Sequence, residues 1–128
     1  MNERRPFIAT YIVASRPLGV LYVGMTSNLF ERIRQHREDA IKGFAHDYGC
    51  KTLVWFEPHG LVTDAIKREK ALKTWRRVWK LELIERTNPQ WRDLYPSLFG
   101  LEPDPRVNVD DGGVEAFQRG LEKGGDAP

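Results

Sequence analysis

Glu69 stands out because it is the one carboxylate in a strongly basic segment. Residues 67–80 contain seven Lys and Arg residues, and Glu69 is the only acid among them. It also lies in line with Ile66 and Leu72 at helical spacing, where a carboxylate is costly unless it is paired or bound to a metal. Two interpretations follow: an ion pair with Lys73, four residues further on, or a metal ligand within a phosphate-binding surface.

Arg32 and His36 form a second pair of candidates, because residues four apart share one face of a helix. An arginine guanidinium can bind a phosphate through two hydrogen bonds, so Arg32 is a candidate phosphate ligand. A single histidine on a helix is more often structural than catalytic, and both roles stay open for His36. Tyr11 and Tyr22 lie on predicted strands, where aromatic residues are common, so they are either packing residues or members of a site.

The basic segment 67–80 carries Trp75 and Trp79 between its cations. Interleaved cations and aromatic rings can bind the phosphates and bases of a nucleic acid. The competing interpretation places both tryptophans in the core and the cations on a solvated helix face. The candidates for nucleic-acid binding are Arg34, Lys67, Arg68, Lys70, Lys73, Arg76 and Arg77.

Strands and turns are predicted from runs of β-branched and aromatic residues separated by turn-forming residues. The first two strands form a hairpin around residues 15–19, where Gly19 permits a positive φ. The three predicted strands are Phe7–Val13, Val20–Met25 and Thr52–Phe56.

The first predicted helix is Leu29–Lys42, with N-cap candidates at residues 26–28 and an end at Gly43. Residues 43–50 are then a predicted loop. The apolar stripe of this helix consists of Leu29, Ile33, Ala40 and Phe44.

A second helix is predicted after the third strand, with Thr63 or Asp64 as its N-cap. A third helix follows a break near Trp75–Arg77 and ends at Asn88, because the residue before a proline disfavours helix. Residues 91–99 are a predicted packing segment. The order β-β-α-β-α-α predicts an α/β (α+β) domain in which helices flank a small three-stranded antiparallel sheet.

Composition excludes several classes of protein. The chain has 128 residues, 41% of them hydrophobic and 30% charged, which is typical of one globular domain. Pro17–Phe30, the longest stretch without a charge, is shorter than the ~18 residues of a membrane helix. Cys50 is the only cysteine, which indicates a reducing compartment. We therefore expect a cytoplasmic protein without a membrane partner.

Charge divides the chain into two parts. Residues 1–100 hold 17 Lys and Arg against 11 Asp and Glu, whereas residues 101–128 hold 3 against 7. A basic body favours an anionic partner. Eight of the last 28 residues are Gly or Pro, so we expect residues 1–100 to form the domain and residues 101–128 a disordered acidic tail.

Taken together, these positions resemble the GIY-YIG nuclease superfamily. Its second motif stands here as Tyr22-Val23-Gly24, and its first is degenerate, since Ala9-Thr10-Tyr11 keeps only the tyrosine. Arg32 follows Gly24 by eight residues, as the family arginine does. The later family positions are matched by His36, Glu69 and Asn88.

The resemblance covers residues 6–96 and looks closest to the small stand-alone bacterial members. Their domain is also similar to the N-terminal nuclease of the excision-repair incision subunit. Residues 85–94 are similar to the closing motif of the small members.

The resemblance implies a divalent-metal-dependent endonuclease that hydrolyses DNA phosphodiester bonds in repair or recombination. Glu69 would hold one Mg²⁺ or Mn²⁺ ion, and Mg²⁺ tolerates a single side-chain ligand because it retains several waters. Tyr11 would position or deprotonate the attacking water with help from His36 or a nearby cation, because a free tyrosine has a pKa of about 10. Arg32 would stabilise the phosphate, Tyr22 would orient water or phosphate, and Asn88 would support the site by hydrogen bonding.

The expected partners are DNA and a protein that supplies specificity, and the expected assembly is a monomer or a weak homodimer. A second hypothesis is a nucleic-acid-binding module on the same fold, with little or no activity without a partner. A third, an RNA-binding protein without catalysis, rests on the basic and aromatic segment alone.

Overall fold

The fold is built on a three-stranded antiparallel sheet in the order β2-β1-β3. The computed structural model describes residues 7–40 and 42–99, so the predicted tail at 101–128 lies outside the described residues. The strands are β1 (Ala9–Ala14), β2 (Leu21–Thr26) and β3 (Thr52–Pro58). The predicted fold class is confirmed.

The central strand β1 is buried along its whole length and separates two hydrophobic clusters. Tyr11 and Val13 point into one cluster, and Ile12 and Ala14 point into the other. This alternation follows from the two-residue period of a strand. A central strand that is covered on both faces gives any side chain on it a fixed position.

In the part of the chain that the structure describes, four α-helices cover the two faces of the sheet. The first cluster includes residues of α1 (Leu29–Arg37) and of the short α2 (Phe44–Asp47). The second includes residues of α3 (Val62–Thr74) and α4 (Arg77–Thr87). Within residues 7–40 and 42–99, no helix has the length and apolar character that crossing a bilayer requires.

The first helix is shorter than predicted. It ends at Arg37 instead of Lys42, because Asp39 takes a left-handed backbone conformation with φ 57°, which no helix can continue through. The predicted stripe is consequently only half correct. Leu29 and Ile33 are buried, whereas Ala40 is exposed.

The residues predicted to follow that helix as a loop contain α2 instead. Phe44, the last residue of the predicted stripe, belongs to this short helix and is 50% exposed. The predicted helix end at Gly43 is therefore wrong, since Gly43 stands at the N-cap of α2 with a φ of 128°.

The predicted caps have mixed outcomes. Asn28 caps α1, and its side chain accepts a hydrogen bond from the backbone N–H of Glu31. Thr63 and Asp64 do not cap α3, because the helix begins one residue before Thr63 and Leu61 occupies the N-cap without a side-chain hydrogen bond.

Gly19 is needed in the hairpin turn because a side chain would not fit there, and the positive φ of the turn lies at another residue. Leu18 takes the left-handed conformation, with φ 59°. A Cβ on Gly19 would lie 2.7 Å from Cγ of Arg16, so only glycine fits there without displacing its neighbours.

Asn88 fastens the segment after α4 to the sheet. The residue is fully buried, and its amide donates to the carbonyls of Val54 (3.1 Å) and Arg92 (2.9 Å). Its carbonyl oxygen accepts from the backbone N–H of Arg92 (2.9 Å). The chain then runs beside β3, where the N–H of Leu94 donates to the carbonyl of Leu53, and a 3-10 helix follows at Pro96–Phe99.

Replacing Asn88 with alanine should lower the free energy of unfolding by about 3 kcal/mol, because buried backbone groups at Val54 and Arg92 would lose their partner. Urea unfolding followed by circular dichroism measures this change. The control is Gln90→Ala, at an exposed position of the same turn, which should leave stability unchanged. Equal stability of the two variants would contradict this role of Asn88.

Candidate active site

Tyr11 lies at the centre of the candidate site. It is 1% exposed, and its hydroxyl lies 2.9 Å from Nε2 of His36. Tyr11 stands on β1 and His36 on the last turn of α1, so the hydrogen bond joins the sheet to the helix. His36 is itself buried, with 6% of its surface exposed. The pair is therefore held in a fixed geometry.

Gly24 provides the space that the ring of Tyr11 occupies. The two residues are direct neighbours across the β1–β2 pair. A Cβ on Gly24 would lie 2.6 Å from the Tyr11 hydroxyl oxygen and 2.6 Å from Cζ. No other residue type could stand there without displacing Tyr11, which gives a physical reason for the glycine in Tyr22-Val23-Gly24.

Tyr22 extends the aromatic group toward the edge of the sheet. Its ring centroid lies 6.4 Å from that of Tyr11 and 5.8 Å from that of His36. The ammonium of Lys73 lies 5.6 Å from the centroid of the Tyr22 ring, in a cation–π arrangement. Because β2 is an edge strand, the ring of Tyr22 brings the site to the border of the sheet.

The electrostatic environment of Tyr11 shows which charges lie close to it. Burial raises its pKa above the ordinary value of 10, and the nearby Tyr22 and Glu69 raise it further. The positive charge of Arg32 and a hydrogen bond to that side chain act in the opposite direction and lower the pKa. The side chains predicted on β1, β2, α1 and α3 therefore come together around one hydroxyl group.

His36 is uncharged at neutral pH. Burial, followed by the positive charge of Arg32, lowers its pKa from 6.5 to about 4. A neutral imidazole has one ring nitrogen without a proton. In the tautomer that carries its proton on Nδ1, Nε2 accepts the hydroxyl proton of Tyr11, and the contact then has the geometry of a proton relay.

Glu69 forms the ion pair that one of the two sequence interpretations predicts. Its Oε2 lies 2.9 Å from Nζ of Lys73, and 18% of its side chain is exposed. Glu69 stands on α3, which packs against β1 and β2. The carboxylate is thus close to Tyr11 and still reachable from solvent.

The residues present fit one kind of metal site and not another. No group of three or more His, Cys, Asp or Glu side chains in the described ranges could hold an ion, so an ion ligated mainly by protein does not fit. A single accessible carboxylate fits Mg²⁺, which keeps several waters and takes phosphate oxygens as ligands. The contact with Lys73 also indicates that this position attracts a cation.

The side-chain hydrogen bonds of Asn88 described above do not connect it to the cluster around Tyr11. Its amide and carbonyl groups are engaged with the backbone of Val54 and Arg92. The side chain therefore supports the fold beside β3 by hydrogen bonding.

Arg68 does not present its charge to solvent. Its Nε donates to Oε1 of Glu57 at 2.9 Å, and only 14% of its side chain is exposed. Its guanidinium also lies over the ring of Trp75, which packs against the core. The predicted contact of Arg68 with nucleic acid does not fit this position.

Arg34 and Arg77 are exposed, but both already form ion pairs or hydrogen bonds within the protein. Arg34 is paired with Glu31 and Glu38 on its own helix. Arg77 donates to the backbone carbonyls of Leu18 (2.7 Å) and Gly19 (2.8 Å) in the hairpin turn. Four other predicted cations have exposed side chains: Lys67, Lys70, Lys73 and Arg76.

Sequence reasoning missed the aromatic extension of this site. Phe44 was expected in the core, yet its ring stacks against that of Tyr22, with centroids 6.3 Å apart and planes 26° apart. Hydrophobic periodicity could not reveal this position, because α1 ends before it. The available signal was the pair Gly43 and Gly49, whose positive φ values bracket a separate turn.

The stability of the protein should fall as the pH drops from about 6.5 toward 4, and His36 should account for part of that loss. Between these values the unfolded chain binds a proton at this histidine that the folded protein does not bind. Urea unfolding at pH 7.5 and 5.0 should show a smaller loss for His36→Gln than for the wild type. His46→Gln, which removes an exposed histidine, is the matched control variant. An equal loss in His36→Gln would contradict the assignment.

A comparison with models of protein families identifies the family of this chain. A family model described as the GIY-YIG catalytic domain matches residues 7–82, a range that includes Tyr11, Arg32 and Glu69, whereas Asn88 lies beyond its end. Comparison with curated proteins and with solved structures gives no match. Because the family match spans more than half of the 128 residues, the chain belongs to the GIY-YIG family, whose catalytic domains are those of endonucleases.

Proposed function

We propose that this protein is a divalent-metal-dependent endonuclease that hydrolyses DNA phosphodiester bonds. The observation that carries the proposal is the hydrogen bond between Tyr11 and His36, which lies beside Arg32 and Glu69 at one edge of the sheet. Hydrolysis of a phosphodiester needs an activated water, stabilisation of charge on the phosphate, and a stabilised leaving group. These side chains can supply the first two.

Tyr11 and His36 act together on the attacking water. As the hydroxyl oxygen of Tyr11 takes a proton from the water, its own proton passes to Nε2 of His36, 2.9 Å away. The raised pKa of Tyr11 means that the free phenolate is scarce at neutral pH. A concerted transfer avoids forming it, and this is why the histidine contact matters.

Arg32 and Tyr22 bind the phosphate. The guanidinium of Arg32 is close enough to hydrogen-bond to Tyr11, so a phosphate beside Tyr11 can receive its two parallel donors. Charge that develops on the phosphate oxygens is stabilised by this fixed cation. Tyr22 orients the water or the phosphate from the neighbouring strand.

Glu69 would hold the metal ion, Mg²⁺ or Mn²⁺. When bound, the ion supplies Lewis-acid stabilisation of the phosphate and the leaving oxygen. To hold the ion, Glu69 would give up its ion pair with Lys73. The exposed ammonium of Lys73 would then contact the DNA backbone together with Lys67, Lys70 and Arg76.

The cellular setting that fits this chemistry is DNA repair or recombination in the cytoplasm. A protein partner would direct the enzyme to its sites, and the enzyme itself would be a monomer or a weak homodimer.

Glu69→Gln should lower the rate of metal-dependent DNA cleavage by about 10³-fold, because the metal's charge stabilisation is worth several kcal/mol. Labelled duplex, flap and branched DNA are incubated with Mg²⁺ or Mn²⁺, and the products are separated on denaturing gels. Glu82→Gln is the matched control, since Glu82 is exposed on α4, and it should cut like the wild type.

The same experiment separates the enzyme from a binding module on the same fold. If neither the wild type nor Glu69→Gln cuts any substrate, while both bind DNA in a salt-sensitive manner, the nuclease proposal is overturned. Binding that prefers single-stranded RNA to DNA would instead favour the RNA-binding alternative.

Gly24→Ala should reduce cleavage by about 10²-fold, because the new Cβ would push the Tyr11 hydroxyl out of place and a misplacement of about 1 Å can cost that much. The rate is measured on the best substrate of the wild type. Gly60→Ala is the control, since a Cβ there meets nothing within 4 Å. Full activity in Gly24→Ala would show that the position of Tyr11 does not limit the reaction.

A further inference from the structure

Two exposed aromatic side chains stand beside the candidate active site, and the proposed chemistry does not use them. Phe44 is 50% exposed and Tyr48 is 55% exposed. Their ring centroids lie 4.6 Å apart. We call this pair the aromatic platform.

The platform is continuous with the active site. The ring of Phe44 lies nearly parallel to that of Tyr22, with an interplanar angle of 26° and centroids 6.3 Å apart. Tyr22 in turn lies beside Tyr11 and His36. A row of rings therefore leads from the buried hydroxyl of Tyr11 outward to Tyr48.

The backbone holds the platform in place. Ala45 is buried in the first hydrophobic cluster, and its carbonyl accepts a hydrogen bond from the N–H of Cys50, at 2.8 Å. Gly43 and Gly49 flank the turn with φ values of 128° and 68°, which favour glycine. The two rings are thus presented to solvent by an ordered segment.

The position and charge of the platform identify what it could bind. Exposed aromatic faces next to a phosphate-binding site can stack on nucleic-acid bases, because every base has a flat π-face. The exposed ammonium of Lys73 lies over the ring of Tyr22, so a cation is available for the backbone of the same strand. A base inside a duplex has both faces covered by its neighbours, so along a DNA strand an unpaired base is the one that offers a free face for stacking.

We propose that Phe44 and Tyr48 stack on an unpaired base of the DNA strand whose phosphate lies at Tyr11. The substrate would then be DNA with unpaired nucleotides beside the cleaved bond, such as a flap, a bubble or an overhang. This inference rests on the proposed nuclease function only for its DNA ligand, since stacking requires no cleavage.

The test measures binding and contact separately from cutting. One DNA has a short single-stranded overhang with 5-iodouracil at its unpaired positions, and the other is a fully paired duplex containing the same modified base. Both are mixed with the full chain in EDTA, and affinity is measured by fluorescence anisotropy. Irradiation then crosslinks the iodinated base to nearby aromatic side chains, and mass spectrometry locates the crosslink after trypsin digestion.

The wild type should bind the overhang DNA about tenfold more tightly than the duplex, which is the order expected for one stacked base. The crosslink should fall in the tryptic peptide 43–51, which contains both rings. The double variant Phe44→Leu/Tyr48→Leu should lose the preference and the crosslink. Phe44→Tyr, which keeps the ring, and Leu61→Ala, which removes an exposed apolar side chain elsewhere, should retain both.

Other results would overturn the inference. Equal affinity of the wild type for the two DNAs would be one such result. A crosslink outside residues 43–51, or an unchanged preference in the double variant, would be another. Either of these last two results would show that the aromatic platform does not stack on DNA and would favour a protein partner for it. Cleavage without any preference for unpaired DNA would reject the platform and keep the nuclease. Preference and crosslinking without cleavage under any metal would keep the platform and reject the nuclease.

Discussion

The site depends on a close contact between two strands: the ring of Tyr11 occupies the space that a side chain at Gly24 would fill. Since the two residues are direct neighbours across β1 and β2, the close approach is set by strand register and not by a flexible loop. The hydroxyl then meets His36 at 2.9 Å. Burial of this pair raises the pKa of Tyr11 and lowers that of His36, and both shifts keep the two groups neutral and hydrogen-bonded.

The architecture brings charges from opposite faces of the sheet to a single border. Arg32 and His36 stand on α1, which covers one face, and Glu69 stands on α3, which belongs to the other. A site in the middle of either face would receive groups from one side only. At β2, an edge strand, side chains from both helices can reach the same hydroxyl. A small sheet with a helix on each face is therefore sufficient to assemble an acid–base pair, a cation and a carboxylate.

The sequence allowed a residue to be placed in the candidate site where a strand or helix period coincides with a position of the family pattern. Tyr11, Arg32 and Glu69 could be placed because their spacing fits both strand or helix periods and the family pattern. Periodicity failed at the end of α1, since the left-handed conformation of Asp39 has no reliable signal in sequence. That error moved Phe44 from the surface into the expected core. Charge counting also failed at Arg68, because a count cannot show that Glu57 and a tryptophan ring enclose one member of a basic segment.

The contact of Arg77 with the hairpin turn has a mechanical consequence. Its guanidinium ties the carbonyls of Leu18 and Gly19 to the start of α4, so the turn between β1 and β2 is anchored to a helix. The register between these strands, which places Tyr11 against Gly24, is thereby anchored at the turn that connects them. A protease cut in residues 15–19 would leave every active-site residue in the molecule, yet it would separate the strand that carries Tyr11 from the rest of the covalent chain.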